Sequence, residues 1–126
     1  MAKKLLIVDD QVGITKVVGL LAEKIGLEVK AVTDSNTATE TFIEYRPDIL
    51  MLDMIMPEKD GIDVLNEILL TGIPAQIVLT SGFSDAYLRL AQGVAKFHEL
   101  DQVQILRKPY RREQLEAVLK GAAAVE

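Results

Sequence analysis

Four short strand-like runs, each leading directly into polar or charged residues, constrain this chain more than any other feature of its sequence. The runs cover residues 5–8, 49–52, 77–79 and 103–106, and they lead into Asp9-Asp10, Asp53, Thr80-Ser81 and Arg107-Lys108. Apolar runs of this length are typical of strands that are buried on both faces of a parallel sheet. Since the carboxyl ends of parallel strands meet at one edge, the polar residues should line a common crevice there.

Stretches with apolar residues at helical spacing separate these runs. The predicted helical stripes, in chain order, are Ile14, Val17, Val18, Leu21 and Ile25; Ala38, Thr41, Phe42 and Tyr45; Ile62, Leu65, Ile68 and Leu69; Tyr87, Leu90, Ala91 and Val94; and Leu115, Val118, Leu119 and Ala122. Ser35 or Asn36 is predicted to cap the second helix. A further, more polar strand is predicted over residues 28–32.

This alternation of strand and helix predicts an α/β fold with a five-stranded parallel sheet covered on both faces. Right-handed crossovers leave few topologies, and the polar second strand suits an edge position. We therefore expect the flavodoxin-like, doubly wound (βα)5 arrangement with strand order 2-1-3-4-5. We expect one domain over residues 1–126, with its core at 4–120.

Composition narrows the class of protein. Of the 126 residues, 49% are hydrophobic and 26% charged, which is ordinary for a globular chain. No apolar run has the length of a membrane span, and Asp9-Asp10 interrupt the first one, which argues against a secretory signal. The net charge of −5 argues against nonspecific nucleic-acid binding, and the absence of cysteine excludes disulfides and thiolate metal sites. We expect a cytoplasmic protein without membrane or direct nucleic-acid contacts.

The acidic residues after the first and third runs indicate a metal site. A single aspartate after a strand is ordinarily a cap or turn residue. Here Asp9 and Asp10 are adjacent, and Asp53 is expected on the neighbouring strand, so three carboxylates would repel one another. A divalent cation relieves that repulsion, and oxygen ligands without His or Cys favour Mg²⁺.

Lys108 and Thr80 complete a possible phosphoryl site. An isolated Lys-Pro pair is usually a surface turn, and buried strand threonines are common. At the end of the fifth strand, however, Pro109 favours an extended Lys108 whose ammonium can reach the crevice. Thr80 adds a hydroxyl at the end of the fourth strand. A carboxylate nucleophile, Mg²⁺, a lysine and a hydroxyl are the groups that an aspartyl-phosphate site requires.

With these residues in order on the predicted strands, the chain resembles the response-regulator receiver domains, the phosphoacceptor modules of two-component signalling. The resemblance runs from Leu5 through the last helix. It is carried by Asp9-Asp10, by Asp53-Met54-Ile55-Met56-Pro57 with Gly61, by Thr80-Ser81-Gly82 and by Lys108-Pro109-Tyr110.

The resemblance implies a role for each matching residue. Asp53 would be the phosphoacceptor, with Thr80 and Lys108 binding phosphoryl oxygens. Mg²⁺ would be held by Asp10 directly, by Asp9 through water, by Asp53 and by the backbone carbonyl of Ile55. Gly61 would permit the turn into the third helix. The phosphoryl donor would be a phosphohistidine on a sensor histidine kinase or a phosphotransfer protein, and phosphorylation would switch the face of the fourth helix, fifth strand and fifth helix.

Several positions depart from that family's pattern. Ile105 stands three residues before the lysine, where most such domains have an aromatic ring, and an isoleucine can repack but cannot swing a ring inward when the threonine moves. The long stretch before the fifth strand, which includes Phe83, Phe97 and His98, suggests an extended or irregular fourth helix. Phe97 is a candidate substitute for the missing ring, and His98 is interpreted as a helix-end residue. Ile55 is expected to impede the attack of water on the phosphoryl group.

Two alternatives stay open. One is a pseudo-receiver, which would use the same fold as a constitutive interaction module, although such domains usually lose an acidic residue or the lysine. The other is an aspartyl-phosphate phosphatase of the haloacid-dehalogenase type, whose second aspartate two residues after the nucleophile is replaced here by Ile55. The sequence indicates neither the cognate kinase nor the output partner.

Overall fold

The fold alternates strands and helices along the chain. The computed structural model describes residues 2–82, 85–97 and 103–125. The strands are β1 (Lys4–Val8), β2 (Glu28–Val32), β3 (Ile49–Asp53), β4 (Gln76–Ser81) and β5 (Gln104–Arg107). The helices are α1 (Val12–Lys24), α2 (Ala38–Tyr45), α3 (Gly61–Leu70), α4 (Asp85–Phe97) and α5 (Arg112–Ala123). One turn of 3₁₀ helix, Ser35–Thr37, precedes α2.

The strands form one parallel sheet in the order β2-β1-β3-β4-β5, which confirms the predicted fold class. The two central strands are the most apolar ones, as the sequence predicts: Leu5 to Val8 and Ile49 to Leu52 are at most 2% exposed. The polar strand β2 lies at an edge, where most of its residues are exposed or half-buried.

Alternate side chains of β1 and β3 pack into two hydrophobic cores, one on each face of the sheet. Leu6, Leu50 and Leu52 pack with Phe42 of α2 and Leu65 of α3 on one face. On the opposite face lies a second cluster that joins β1 and β3 to α1 and α5: Leu5, Ile7, Ile49, Met51, Val18 and Leu119. Because every other strand residue enters each core, a shift of one residue in register would exchange the two sets.

Among the stripe residues whose side chains the structure describes, two are exposed instead of buried. Val17 is 65% exposed and Leu90 is 58% exposed. In α1 the buried stripe includes Gly19 and Ala22, whose small size lets the helix lie close to the sheet and turns Val17 outward. In α4 the fully buried residue is Ala91, so Leu90 lies beside the contact and not in it.

The predicted cap of α2 was wrong. Asp34 supplies the capping carboxylate, which accepts a hydrogen bond from the N–H of Asn36 at 3.0 Å, and it starts the 3₁₀ turn before α2. Ser35 lies inside that turn and is 1% exposed, so its hydroxyl is available to another segment of the chain. Asp34, immediately before Ser35, caps the 3₁₀ turn because its carboxylate reaches the free N–H of Asn36, and α2 itself begins after Thr37, which makes no capping bond through its side chain.

Part of the predicted output region falls outside the residues that the structure describes. Phe83 and His98 are among these, and so is the side chain of Phe97, so the interpretations of those three residues stay predictions. Within its described bounds α4 has 13 residues. None of the helices in the described parts of the chain is both long and apolar enough to cross a membrane.

Candidate functional site

The strand register places the predicted site residues at one edge of the sheet. Val8 pairs with Leu52, so Asp9 and Asp53, the next residue on each strand, lie beside each other. Asp53 in turn pairs with Thr80 of β4. Asp9, Asp53 and Thr80 are 2%, 4% and 1% exposed. Two of the predicted acids are therefore buried, which is uncommon for carboxylates unless they are paired.

The three predicted acids form a cluster. Asp9, Asp10 and Asp53 each offer a carboxylate oxygen, and these oxygens lie within 4.8 Å of one another. Asp10 is half-buried, whereas the other two are buried. Three hard oxygen donors without nitrogen or sulfur suit Mg²⁺, which binds through one or two carboxylates and keeps several of its waters. The residues present therefore fit this cation.

Lys108 is the counter-ion that the structure gives these acids. Its Nζ lies 2.7 Å from Oδ2 of Asp9 and 3.3 Å from Oδ2 of Asp53, although the two partners are 99 and 55 residues away in the chain. The backbone N–H of Lys108 donates to the carbonyl of Ser81 at 3.0 Å, which ties the lysine to the end of β4. The peptide bond between Lys108 and Pro109 is cis, a feature that the sequence did not reveal.

The surroundings of Asp53 raise the pKa of its carboxyl. Burial and the neighbouring charge of Asp9 raise the pKa of its carboxyl to about 6, against the opposing effect of Lys108. Its Oδ1 accepts a hydrogen bond of 3.3 Å from the N–H of Ile55, which also opposes the rise. A pKa raised in this way is characteristic of a carboxylate crowded by another at a functional site.

The backbone after Asp53 passes closely against the start of α3. The N–H of Met54 donates to the carbonyl of Thr80 at 2.9 Å, and the carbonyl of Met54 accepts from Gly61 at 3.0 Å. A side chain at Gly61 would clash with the Cα of Met54 and the carbonyl oxygen of Asp53. Gly61 is required for this close approach at the start of α3; it permits the entry into the helix because it has no side chain, and not through a positive φ.

A crevice of about 410 Å³ opens over the cluster, and its lining comes from four of the loops at this edge: Asp10, Gln11, Asp53, Ile55, Met56, Pro57, Gly82 and Lys108. A more apolar groove of about 900 Å³ adjoins it along α1 and shares Gln11, Gly82 and Lys108. The side chain of Ile55 and the backbone of Gly82 both line the crevice with Asp53, so the apolar bulk comes from the Ile55 side.

Tyr110 is a neighbour of the site to which the sequence analysis assigned no role. It lines the apolar groove, and burial together with the charges of Asp9 and Asp53 raises the pKa of its hydroxyl to about 12. Its position two residues after Lys108 was the available signal. A motif alone does not reveal that this tyrosine is close enough to Asp9 and Asp53 for their charges to affect its hydroxyl.

Comparisons with known proteins agree with this architecture. The sequence model of the response regulator receiver domain family matches residues 5–120. The chain is similar in structure to the chemotaxis protein CheY4 of Vibrio cholerae, with a TM-score of 0.83, 20% identity, and coverage of 97% of this chain and 99% of that one. The BeF3-activated N-terminal receiver domain of RstA from Klebsiella pneumoniae gives a TM-score of 0.81 at 22% identity, covering 97% and 99%.

A longer protein also contains this fold. NtrX of Brucella abortus, in a complex with ADP, matches with a TM-score of 0.80 and 24% identity, and the match covers 98% of this chain but 27% of NtrX. The fold therefore occurs both alone and as a part of larger chains. Since the family match spans nearly all of the sequence, the chain belongs to the response regulator receiver domain family.

Proposed function

We propose that this chain is a phosphorylation-controlled signalling domain in which Asp53 accepts a phosphoryl group from a phosphohistidine, with Mg²⁺ bound beside it. The observation that carries the proposal is the buried Asp53 carboxylate on the crevice wall, with Asp9, Asp10 and Lys108 grouped around it. Family membership supports a phosphoacceptor role, which is signalling and not turnover of a substrate. We propose a cytoplasmic location, where sensor kinases present their phosphohistidines.

The adjacent acids Asp9 and Asp10 have different contacts, which supports different roles in binding the cation. Asp9 is the closer partner of Lys108, at 2.7 Å, and its Oδ1 accepts from the N–H of Gln11 at 2.9 Å, so both of its oxygens are engaged. Asp10 lines the crevice, whereas Asp9 does not. This difference supports Asp10 as a direct ligand of Mg²⁺ and Asp9 as one that acts through water. Asp53 and the backbone carbonyl of Ile55 complete the proposed set.

When bound, the cation neutralises charge on the phosphoryl oxygens. The chain's own residues then carry the transfer. A carboxylate oxygen of Asp53 attacks phosphorus, and the phosphorus–nitrogen bond breaks. The imidazole nitrogen leaves with the electron pair of that bond. The leaving imidazole is neutral because the ring either retains one proton or takes one up from solvent. Lys108 exchanges its 3.3 Å contact with Asp53 for a phosphoryl oxygen, which needs little movement because its backbone is held by Ser81.

The groove beside the crevice favours a protein as the donor. Val17 and Leu20 of α1 are 65% and 69% exposed and lie near Tyr110, and Val17 also lines the groove that adjoins the crevice. A helix of a histidine kinase or phosphotransfer protein that laid apolar side chains against α1 could bring its phosphohistidine to Asp53. Exposed apolar side chains grouped in this way are typical of interaction sites.

The proposed switch connects Thr80 to the face of α4, β5 and α5. Phosphorylation adds charge and acceptor oxygens beside Thr80, which moves towards them. Ile105 pairs with Leu79 in the sheet and packs, half-buried, against the core that contains Ala91 of α4. With isoleucine at this position, repacking of apolar side chains on α4 replaces the swing of an aromatic ring. The result is a shift between two packings of the output face.

The first experiment tests the acceptor. The protein is incubated with acetyl phosphate and Mg²⁺, and its intact mass is measured for one added phosphoryl group. Wild type and Asp48→Asn should be modified, and Asp53→Asn should not. Asp48 is the matched control because it precedes β3 at the opposite, amino end of the same strand. Unmodified wild type, or equal modification of Asp53→Asn, would contradict the proposal.

A second experiment tests the switch. Backbone amide shifts are followed in wild type and Asp53→Asn on addition of beryllofluoride and Mg²⁺. Shifts in wild type that extend to Ala91 and Ile105 support the coupling. Shifts confined to the acidic cluster would contradict it and would favour a domain whose output face does not respond to the site.

A further inference from the structure

The loop over residues 54–60 carries the carbonyl of Ile55, and this inference rests on the proposed role of that carbonyl in holding Mg²⁺. At its start, the loop is fixed by Met54, which bonds to Thr80 and Gly61. The N–H of Ile55 makes a long, 3.3 Å bond to Oδ1 of Asp53. Something further along the loop must therefore restrict the orientation of the Ile55 peptide.

Ser35 provides one such restraint. Its Oγ accepts a hydrogen bond from the backbone N–H of Lys59 at 2.8 Å, across 24 residues of sequence. Ser35 is 1% exposed and lies in the 3₁₀ turn that Asp34 caps, so the acceptor itself is held in place. A buried hydroxyl that accepts from a loop N–H fixes that loop because a broken bond would leave a buried polar group unsatisfied.

The side chain of Lys59 provides the second restraint. Its Nζ forms an ion pair with Oε2 of Glu67 on α3. The other oxygen of Glu67 accepts from the hydroxyl of Thr39 on α2 at 2.6 Å. These two contacts hold the pKa of the Glu67 carboxyl below its usual value, so it stays charged. The same lysine is thus tied to α2 and α3 through its side chain and to the 3₁₀ turn through its backbone.

We propose that Ser35, Thr39, Lys59 and Glu67 form a loop anchor, which positions the Ile55 carbonyl for Mg²⁺. The anchored N–H lies four residues after Ile55, and the intervening Met56 is buried in the core at 7% exposure. With Met54 and Lys59 both fixed, the backbone between them has few accessible orientations. None of the four anchor residues touches the phosphoryl group, so all are positioning residues.

The anchor acts on metal affinity and leaves the chemical step alone. A loose loop must be ordered when the cation binds, and this entropy cost weakens binding. Residues that orient metal ligands typically change affinity by about 10-fold to 100-fold when they are altered. Once Mg²⁺ is saturating, the carbonyl is in place in every bound molecule. The rate of phosphorylation at saturation should then equal that of wild type.

The test compares Ser35→Ala with Thr71→Ala. Thr71 lies at the far end of α3, and its hydroxyl also accepts a hydrogen bond from a backbone N–H, that of Ile73 at 3.1 Å. Thr71→Ala therefore removes a comparable hydrogen bond at a position away from the loop. Two quantities are measured in each: the Kd of Mg²⁺, from amide shifts of Asp53 and Ile55, and amide hydrogen exchange at residues 55–59 in metal-free protein. Lys59→Met and Lys59→Arg provide a second pair, in which arginine can keep the ion pair. Unchanged exchange in β1 and β3 shows that each variant is folded.

We expect Ser35→Ala to raise the Kd of Mg²⁺ about 10-fold and to speed exchange at residues 55–59, with the rate from acetyl phosphate at saturating Mg²⁺ unchanged. Lys59→Met should act in the same direction, and Lys59→Arg and Thr71→Ala should resemble wild type. If wild type binds Mg²⁺ and Ser35→Ala binds it equally well, the proposal of a loop anchor is wrong but the proposed function stands. If wild type does not bind Mg²⁺, the proposed function fails with it.

Discussion

The two ends of the β-sheet use the same kinds of residue to opposite effect. At the amino edge, Lys4 and Asp48 join β1 to β3 through two hydrogen bonds. The N–H of Lys4 donates to Oδ2 of Asp48 at 2.8 Å, and the N–H of Asp48 donates to the carbonyl of Lys4 at 2.9 Å. Asp48 is exposed. At the carboxyl edge, Asp9 and Asp53 are buried and share Lys108.

The amino edge is built for stability. The carbonyl of Asp48 also accepts from Gln76 at 2.9 Å, so one residue links β1, β3 and β4. Nζ of Lys4 donates to the carbonyl of Tyr45 at 3.1 Å and lies 5.2 Å from the centre of its ring. The charges there are spread out and each has local partners. Nothing in this arrangement would gain from a bound cation.

At the carboxyl edge, the carboxylates of Asp9, Asp10 and Asp53 repel one another. Three carboxylates face one ammonium, and burial together with the charge of Asp9 raises the pKa of Asp53. A fold that only required stability would place apolar groups or separated pairs here. The difference shows that burial and crowding of charge, and not the mere presence of Asp and Lys, mark the functional end of the sheet.

Loss of the shared lysine should have the largest effect. Lys108→Met leaves Asp9 and Asp53 buried without their cation, and we expect about 3 kcal/mol less stability, the low end for a broken buried pair because Asp53 can take up a proton. Lys4→Met should cost about 1 kcal/mol or less. Urea unfolding at pH 7.5 without divalent cations measures both. Equal losses would remove the distinction between the two edges.

Neutralising the crowded acid should stabilise the metal-free fold. Between the ordinary pKa of 3.8 and the folded value of about 6, the folded state binds more protons than the unfolded chain, so the contribution of Asp53 to stability falls as pH rises. Asp53→Asn should therefore gain about 1–3 kcal/mol at pH 7.5 and lose that advantage towards pH 4. Asp48→Asn should gain nothing. Thermal unfolding across this pH range is the measurement, and a destabilised Asp53→Asn would contradict the argument.

Mg²⁺ should relieve the same repulsion. At about ten times its Kd it should add about 1.4 kcal/mol to the free energy of unfolding of wild type, by mass action. Asp48→Asn should show the full gain, whereas Asp10→Asn and Asp53→Asn should show little. Denaturant titrations at fixed Mg²⁺ decide this. A gain that persists in Asp53→Asn would place the cation elsewhere.

Substitution of Ile55 should have the smallest effect on stability, but it should change the lifetime of the phosphoryl group. Ile55 is half-buried and lines the crevice, so Ile55→Ala should lower stability little but shorten the phosphoryl half-life several-fold by admitting water. Leu70→Ala, on an exposed residue at the end of α3, is the control. Decay of the phosphorylated mass is followed after excess donor is removed. A half-life of seconds in wild type would contradict shielding by Ile55.

Much of the site could be predicted because it depends on local patterns. Short apolar runs specify buried strands, and the order of strands and helices leaves few topologies. Once the strands are parallel, Asp9, Asp53 and Thr80 must share an edge. Three further features could not be predicted: the outward position of Val17, the close approach at Gly61 and the burial of Ser35. Each depends on how tightly neighbouring elements pack, which a residue's own type does not specify.

The sequence by itself determined the α/β fold, the strand order and the edge at which the acids lie, because hydrophobic periodicity and chain connectivity are local and strongly constrained. Only the tertiary structure decided that Lys108 bonds Asp9 more closely than Asp53, and that Ser35 holds the loop after β3. Those contacts join residues between 24 and 99 positions apart. Their geometry is set by the packing of helices on the sheet, to which the whole chain contributes.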